Sequence, residues 1–503
     1  MSSYPDCSAE KTRQPTKRAN VSPHRRSTDM KHAFLKKAFF LHLSGLLFLA
    51  GCSMAPNYTR PEAPVPQAWP SGPAYKGAAS QALEPEAVQL KWEQFFINPQ
   101  LRKLIKLALD NNRDLRIATL NVEKSRAQYR IQRADLLPSI NGNGNATMER
   151  TPSDLSSSGE AITSHSYTLN LGVSSYEVDL FGRVQSLKDQ ALEQFLSTEQ
   201  AVRSVRLSLV AEVANNYLTL AADRERLKLA RETLESQRVS YNLIKSRFSA
   251  GASSELDLRQ AQTSVDSARV DVARYTSQVA QDENLLALVV GGPVPAELLP
   301  SGFEAAGMMR ELSSGVPSEV LQRRPDIMEA EHLLKGANAN IGAARAAFFP
   351  RITLNTSIGT SSDQLSGLFS PGSFAWGFAP QFTLPIFDFG RNKAGLTVAE
   401  RDRDIYLAQY EKSIQSAFRE VADALAVNGT ITEQLDAQQS LVQATSESYR
   451  LSQARYMGGI SSYLDVLVSQ RSLYTTQQSL IGVNLTKLSN LVTLYKVLGG
   501  GSE

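Results

Sequence analysis

Cysteine and histidine, which often supply nucleophiles and metal ligands in proteins, are scarce in this 503-residue chain. Cys7, Cys52 and five histidines cannot form a disulfide framework or a cysteine-based zinc cluster, and they leave little material for a histidine site. The chain also lacks a nucleophile elbow and a phosphate-binding glycine loop. We therefore expect no enzyme, no catalytic residue, no metal and no bound cofactor, which leaves Cys52 as the reactive group of interest.

Cys52 ends a short apolar segment that is preceded by lysines. Residues 30–51 carry three lysines and then 13 mostly apolar residues, Ala38 to Ala50, which are too few to span a bilayer. The ending Leu49-Ala50-Gly51-Cys52 resembles a bacterial lipobox, which predicts a lipoprotein signal peptide over 30–51. The resemblance implies an S-diacylglycerol and an N-acyl chain on Cys52, and Ser53 favours sorting to the outer membrane. The alternative is a buried cysteine behind an ordinary secretory signal.

Residues 1–29 precede a signal that is already complete. We expect translation to begin at Met30, which would make this stretch an artefact of the gene model. The first 51 residues carry nine Lys and Arg against three Asp and Glu, so without them the net charge falls from +3 to −3. The basic balance of the full chain therefore gives no reason to expect nucleic acid as a partner. After Cys52, the proline-rich residues 52–75 predict an extended, stiff tether that spaces the lipid anchor from the folded body.

The body of the chain consists of two copies of one sequence repeat. Matching residues recur at an offset of 208, and upstream of them Pro138 and Pro350 match at 212, so we expect a surface loop to absorb the difference of four. The predicted repeats are 76–290 and 318–503, joined by a Gly- and Pro-rich linker over 291–317. The matches at 208 include Tyr241 and Tyr449, Gly251 and Gly459, Asp257 and Asp465, and the Phe-Gly-Arg motifs at 181–183 and 389–391.

Each repeat predicts a long helix followed by a shorter return helix. The 67 residues from Val184 to Ala250 contain no Gly or Pro and carry apolar residues at helical spacing, which gives a helix of about 100 Å. Gly251 ends this helix, and Ser253 or Ser254 can cap a second helix that reaches about Val290. The second repeat predicts the same pair over Leu396–Met457 and Ser461–Leu498, around Gly458 and Gly459.

Apolar and polar residues alternate in four further segments, which predicts four β-strands. Strands of about ten residues with one apolar face are typical of a transmembrane barrel wall, and a soluble sandwich is the alternative. Four strands cannot close a barrel, and an open edge in lipid leaves unpaired backbone groups. The chain must therefore oligomerise, and polar inward residues such as Asn170 and Gln381 favour three copies over two. The segments are Ile140–Met148, Tyr167–Val173, Ile352–Ile358 and Phe374–Leu384.

These features together resemble the outer-membrane factors, the TolC-like channels, and specifically their OprM/NodT-type efflux lipoproteins. The resemblance covers Cys52 to Glu503, and its marks are Trp92–Phe96, Asn112–Leu115, Ala347–Pro350 and Leu494–Gly501. It implies an α+β membrane protein in which a homotrimer shares a twelve-stranded barrel and a periplasmic tube of long helices. It also implies outer-membrane lipid as surroundings, a periplasmic adaptor and an inner-membrane RND-type transporter as partners, and export of small molecules.

The same resemblance implies a gate at the helix tips, where the turns contain Gly251, Gly458 and Gly459. Asp465 matches an acidic position that lines the closed pore of the family, and Val468, three residues on, would add a hydrophobic collar. Tyr456 matches a position that ties neighbouring helices together. The alternative is that Asp465 only stabilises a helix start.

Two other functions stay open at this point. One is a type I protein-secretion channel, and the other is a lipid-anchored coiled-coil protein with a structural role.

Overall fold

The computed structural model describes residues 53–76, 90–307, 309–310 and 318–500. The predicted signal peptide, the stretch before it and Cys52 lie outside the described residues. Long helices dominate the described part, and a small antiparallel sheet extends from one end of them. The helices are α1 (Trp92–Phe95), α2 (Pro99–Asn111), α3 (Arg113–Ala134), α4 (Arg183–Ser249), α5 (Glu255–Val290), α6 (Phe303–Ala306), α7 (Pro325–Ala346), α8 (Arg391–Met457) and α9 (Tyr463–Val497).

The long helices confirm both predictions, the one from the Gly- and Pro-free stretch of the first repeat and the one from its match in the second repeat, where α8 includes Gly395 and Gly429. Helices α4 and α8 each have 67 residues, and each is followed by a return helix of 36 or 35 residues. Helix α8 begins five residues earlier than predicted, because Asp388 caps its first turn by accepting hydrogen bonds from the backbone of Gly390 and Asn392 at 3.0 and 2.9 Å. Among the described residues, no helix combines the length and the apolar character that crossing a bilayer requires.

The core lies midway along the long helices, where α1 and α2 pack on them. Phe95 and Phe96 are fully buried, and the ring of Phe95 stacks on Tyr495 with centroids 4.3 Å apart. The hydroxyl of Tyr495 donates to the carbonyl of Leu90 at 3.0 Å. Two sequence motifs from opposite ends of the chain therefore meet here, and burial of aromatic rings is among the largest single contributions to such a core.

The four strands are β1 (Ile140–Thr151), β2 (Ile162–Glu177), β3 (Arg351–Ser362) and β4 (Phe374–Thr383), which confirms all four predicted segments. They form one antiparallel sheet in the order β1-β2-β3-β4. Leu171, Ile358 and Trp376 lie side by side on one face, and Asn170, Gly359 and Ala375 do so on the other. One face is thus apolar and the other is polar or small, as the alternation predicted.

Strand β2 contains a bulge that the sequence did not predict. The pairing with β3 shifts between Val173 and Tyr176, and Ser175 adopts a φ of 57°. The backbone N–H of Ser175 donates to Oδ1 of Asn355 at 2.8 Å, which satisfies a donor that the ladder has lost. The loop that we expected to absorb four residues therefore absorbs three, and the fourth is the bulge residue of β2.

The proline-rich residues 53–76 do not act as a spacer, contrary to the expectation for the tether. They lie as an extended strap along α7 and α8. Near the start of the strap, the carbonyls of Met54 and Pro56 accept hydrogen bonds from Arg345 and Asn338. Farther along, Trp69 stacks on Phe418 with centroids 4.8 Å apart. Proline keeps the backbone extended, as expected, but the side chains between the prolines find partners on the body.

An ion pair fixes the middle of the strap. The guanidinium of Arg60 binds both carboxylate oxygens of Glu331 on α7, with Nε 3.0 Å from Oε1. Tyr58 and Lys335 also donate to this carboxylate, at 3.2 and 3.1 Å. The side chain of Glu331 is only 5% exposed, so its charge depends on these donors.

Candidate gate at the helix tips

The two helix pairs turn around at equivalent glycines. Gly251 and Gly459 both have a φ of 72°, a left-handed conformation that residues with a Cβ rarely adopt. Gly458, which the sequence also indicated for this turn, has a φ of −79° and only ends α8. The left-handed residue lets the backbone N–H of the next residue, Ala252 or Ile460, donate to a carbonyl in the last turn of the long helix, at 2.8 and 2.9 Å.

Asp465 and its repeat mate Asp257 each close a capping box at the start of a return helix. Oδ2 of Asp465 accepts from the backbone N–H of Ser462 at 3.1 Å, and Oγ of Ser462 accepts in turn from the N–H of Asp465 at 3.4 Å. Ser254 and Asp257 repeat this arrangement. Burial opposes ionisation of Asp257, but hydrogen bonds from the two serines before it outweigh burial and lower its pKa. The helix-start role of Asp465 is therefore present in the structure.

Asp465 and Val468 lie on an exposed surface of α9. Their side chains are three residues apart, and Val468 is 59% exposed together with the similarly exposed Leu464. Residues at this spacing share one side of a helix. The structure thus presents a carboxylate and two apolar side chains outward at the tip, while Val466 and Leu467 point into the cluster described next.

A small aromatic core holds the two pairs of helices together at the tips. This tip cluster consists of Ile244, Ala261, Tyr463, Val466 and Leu467, lined by Tyr241, Leu258, Tyr449 and Tyr456. Tyr456 makes two contacts in it. Its ring lies 5.4 Å from the ring of Tyr463, and the guanidinium of Arg247 on α4 lies 5.1 Å from its centroid. Tyr456 therefore connects α8 to both α9 and α4 within one chain.

Tyr463 belongs to this site, although no sequence pattern indicated it. It is 4% exposed, and its hydroxyl is buried without a hydrogen-bond partner among the described residues. Burial raises the pKa of Tyr463 to about 12, with further contributions from Tyr456, Tyr449 and Asp257. Its repeat mate is Glu255, so repeat comparison could not have found it. The donor without an acceptor makes this one of the weaker points of the tip.

The motif Glu-Val-Ala also occurs in both repeats, at 212–214 and 420–422, and it lies halfway along the long helices. Val213 and Val421 are fully buried, whereas Glu212 and Glu420 line an open groove of about 700 Å³ between α4, α8 and α9. The valines account for the repetition by packing. The groove carries charges of both signs, because Asp423 and Lys496 also line it and Arg324 donates to Glu420 at 2.8 Å. Among the described residues, no group of three or more His, Cys, Asp and Glu side chains is placed to hold a metal ion.

Comparison with known proteins gives one consistent result. A family model for outer membrane efflux proteins matches residues 104–292 and 316–500, which are the two repeats. The chain is 50% identical over 453 residues to the antibiotic efflux pump outer membrane protein ArpC of Pseudomonas putida, with 90% of this chain and 93% of ArpC covered. The toluene efflux pump outer membrane protein TtgC, also of P. putida, has the same identity and coverage.

A solved structure agrees with these relatives. The open state of the MtrE outer membrane channel of Neisseria gonorrhoeae superimposes with a TM-score of 0.80 at 39% sequence identity. The match covers 90% of this chain and 99% of that channel. The order of long helices and paired strands described above is therefore the order found in a known outer-membrane channel.

Proposed function

Since the chain belongs to the outer membrane efflux protein family and is the outer-membrane channel component of an efflux pump, we propose that three copies build that channel. The observation that carries this proposal is the four-stranded sheet with an apolar face and two edges that have no partner strand among the described residues. In lipid, each unpaired N–H or C=O of such an edge costs several kcal/mol. Identical copies remove both edges at once, because β4 of one copy can pair with β1 of the next.

Three copies fit the sheet better than two. An eight-stranded barrel has an interior filled by side chains, whereas twelve strands leave room for water. The inner face here is lined by small or polar residues such as Asn143, Asn170 and Gly359, which suits a water-filled duct. The long helices of three copies then continue the duct as a tube on the periplasmic side.

The partners in this proposal are a periplasmic adaptor and an inner-membrane transporter of the RND type, which deliver small organic molecules to the tube. The relatives named for antibiotic and toluene efflux support small molecules as cargo over secreted proteins, and support transport over a purely structural role. Co-purification of the acylated chain with a periplasmic adaptor tests the first of these partners.

The lipid on Cys52 is the second part of the proposal. The strap carries Ser53 to the strand end of α7, where the backbone of Ala55 lies so close to Gly342 that a Cβ there would meet it. Strand β3 begins nine residues after Gly342, so this part of the strap lies near the sheet. An S-diacylglycerol and an N-acyl chain on Cys52 would together give the chain a stable lipid anchor. Mass analysis of the mature N-terminal peptide tests this directly, and an unmodified cysteine would exclude it.

The third part is the gate. Three copies of Asp465 form a negative ring that attracts cations and repels anions, and Val468 forms an apolar collar next to it that closes by dewetting. Tyr456 holds the closed arrangement through its contacts with Arg247 and Tyr463. The capping bonds of Asp465 support this role, because they fix the position of its side chain at the tip.

Single-channel recording in planar bilayers tests the channel and the gate together. The purified protein should conduct, and Asp465→Asn should lower its cation selectivity. Asp257→Asn is the matched control, because it disturbs the same kind of capping box on the first return helix. Equal effects of both variants would leave Asp465 with the capping role only. A trimer that never conducts would refute the channel.

A further inference from the structure

The two repeats use the same strand register, and this fixes how residues of one correspond to residues of the other. Asn143 pairs with Asn170 across β1 and β2, while Asn355 pairs with Ala379 across β3 and β4. Pro138 and Pro350, just before β1 and β3, set the shift between these strands at 212. The pairings then require a shift of 209 from β2 to β4. The other pairs of the two hairpins obey the same two shifts, for example Gly142 with Leu171 and Leu354 with Pro380.

The value of 209 differs from the offset of 208 in the sequence because of the bulge. Strand β2 has one residue more than β4 at Ser175, so residues before the bulge correspond at 209 and residues after it at 208. The distinction decides which side chains share a face. An offset of 208 within the strands would pair apolar positions of β2 with polar positions of β4, which the observed alternation rules out.

Among the described residues, the two repeats are joined in the sheet by the pairing of β2 with β3, the internal joint, and the equivalent edges of β4 and β1, the open joint, have no partner. Strand β4 is the repeat counterpart of β2, and β1 is the repeat counterpart of β3. Pairing β4 with β1 of another copy is therefore equivalent to the internal pairing of β2 with β3. Resting on the trimer proposed above, we infer that β4 and β1 of adjacent copies pair in the register of β2 and β3. The pair of Asn170 and Gly359 then maps onto Ala379 and Thr147 of the adjacent copy. The pair of Leu169 and Thr360 maps onto Phe378 and Met148 of the adjacent copy.

Exposed apolar residues beside the sheet support the same assignment. Within the chain, the rings of Phe181 and Phe349 stack with centroids 4.8 Å apart. Their counterparts in the open joint are Phe389, at 208, and Leu137, at 212, and these side chains are 90% and 72% exposed in one copy. A bulky apolar pair occupies both joints, but in a single chain only the pair of the internal joint is stacked, and its Phe349 is 40% exposed. The second copy supplies the missing cover.

A backbone hydrogen bond gives a second, independent match. The N–H of Val178 donates to the carbonyl of Ile352 at 2.9 Å, just outside the ladder of β2 and β3. The counterparts of these residues are Ile386 and Ile140, which are 91% and 74% exposed in one copy. The backbone N–H of Ile386 can therefore donate to the carbonyl of Ile140 of the adjacent copy, which would repeat this bond and cover both exposed side chains.

Disulfide cross-linking tests the register. The acylated double variant Ala379→Cys/Thr147→Cys places two cysteines on the polar face, opposite each other at a Cα separation of about 5 Å. Mild oxidation should give covalent trimers on denaturing gels that reducing agent dissolves. Phe378→Cys/Met148→Cys makes the same test on the apolar face, in case the first pair folds poorly. The two single variants are controls for random contacts between cysteines.

Two matched pairs exclude other registers. Ala379→Cys/Asn143→Cys keeps the face but shifts the partner by four residues, about 13 Å along the strand, and should not cross-link. Asn143→Cys/Asn170→Cys should form a disulfide within one chain and leave the mass of the monomer unchanged, because their amides lie 3.4 Å apart. Cross-linking of the shifted pair in place of both predicted pairs would overturn the register. A chain that is monomeric before oxidation would instead overturn the trimer.

Discussion

Replacing Asp282 by asparagine should stabilise the folded chain at neutral pH. Asp282 on α5 and Asp223 on α4 are two buried carboxyl groups, 7% and 4% exposed, that face each other. Arg226 donates to Asp223 at 2.6 Å and Gln278 donates to Oδ1 of Asp282 at 3.1 Å, but Oδ2 of Asp282 is buried without a donor among the described residues. Burial first and the neighbouring carboxylate of Asp223 second raise the pKa of Asp282 to about 6, against the opposing effects of Gln278 and Arg226.

The sign of the effect follows from this direction. The folded chain holds a proton on Asp282 that the unfolded chain releases near pH 4, so this group favours folding most below pH 4. That contribution is lost as the pH rises to about 6 and stays lost above it. A pKa shift of about two units corresponds to at most about 3 kcal/mol in the free energy of unfolding. We expect about 2 kcal/mol, because Asp282 and Asp223 titrate together and the shift is divided between them. Asparagine keeps the shape of the uncharged group at every pH.

Thermal unfolding of the purified protein in detergent at pH 4.5 and pH 7.5 measures the effect. Asp282→Asn should raise the unfolding temperature at pH 7.5 by about 2 to 4 °C relative to the unmodified chain and change it little at pH 4.5. Glu283→Gln is the matched control, because Glu283 is adjacent but 40% exposed and pairs with Arg224 at the surface. A variant that is less stable than the original chain at pH 7.5 would refute the reasoning, since the ionised carboxylate would then be favourable.

Two further predictions concern the strap, and hydrogen exchange over residues 53–76 measures both. Arg60→Ala leaves the buried carboxylate of Glu331 without its two-point partner, so exchange should accelerate by about tenfold, whereas Lys76→Ala should have little effect because both partners of its ion pair are exposed. Gly429→Ala should loosen only the end of the strap, because a Cβ at this position meets the carbonyl of Ala74; unchanged protection there would show that the strap is not held at that point.

The sequence predicted the elements of this fold more completely than their contacts. A stretch without Gly or Pro predicted α4, and alternation predicted the strands, since both signals are local to the segment that carries them. Helix α8, which contains Gly395 and Gly429, was predicted from its match to the first repeat. The serines before Asp257 and Asp465 predicted the helix starts for the same reason. The resemblance to a known family then supplied the arrangement of copies, which no local pattern contains.

Contacts between distant segments could not be predicted in this way. Asp223 and Asp282 are 59 residues apart in the chain and meet only because α4 and α5 pack in one register, which neither helix determines alone. The strap was expected to stand away from the body, because proline content predicts stiffness but not whether side chains find partners. The bulge at Ser175 could not be predicted for a related reason. The change in offset between the repeats gives the number of extra residues but not their positions in the chain.

The two tips of each chain share their caps but differ in the residues around them, and this difference bears on the gate. Ser254 with Asp257 and Ser462 with Asp465 make the same bonds. At the positions of Tyr456 and Val468, however, the first repeat has Phe248 and Gln260.

A purely structural need would act equally on both tips, because the helices that they join are equally long. The capping bonds therefore explain why both aspartates are present, and they cannot explain why only the second tip combines a carboxylate with an exposed valine. Six tips in a ring of three chains would alternate between these two chemistries. Comparing Asp465→Asn with Asp257→Asn isolates that alternation, since the caps cancel between the two variants.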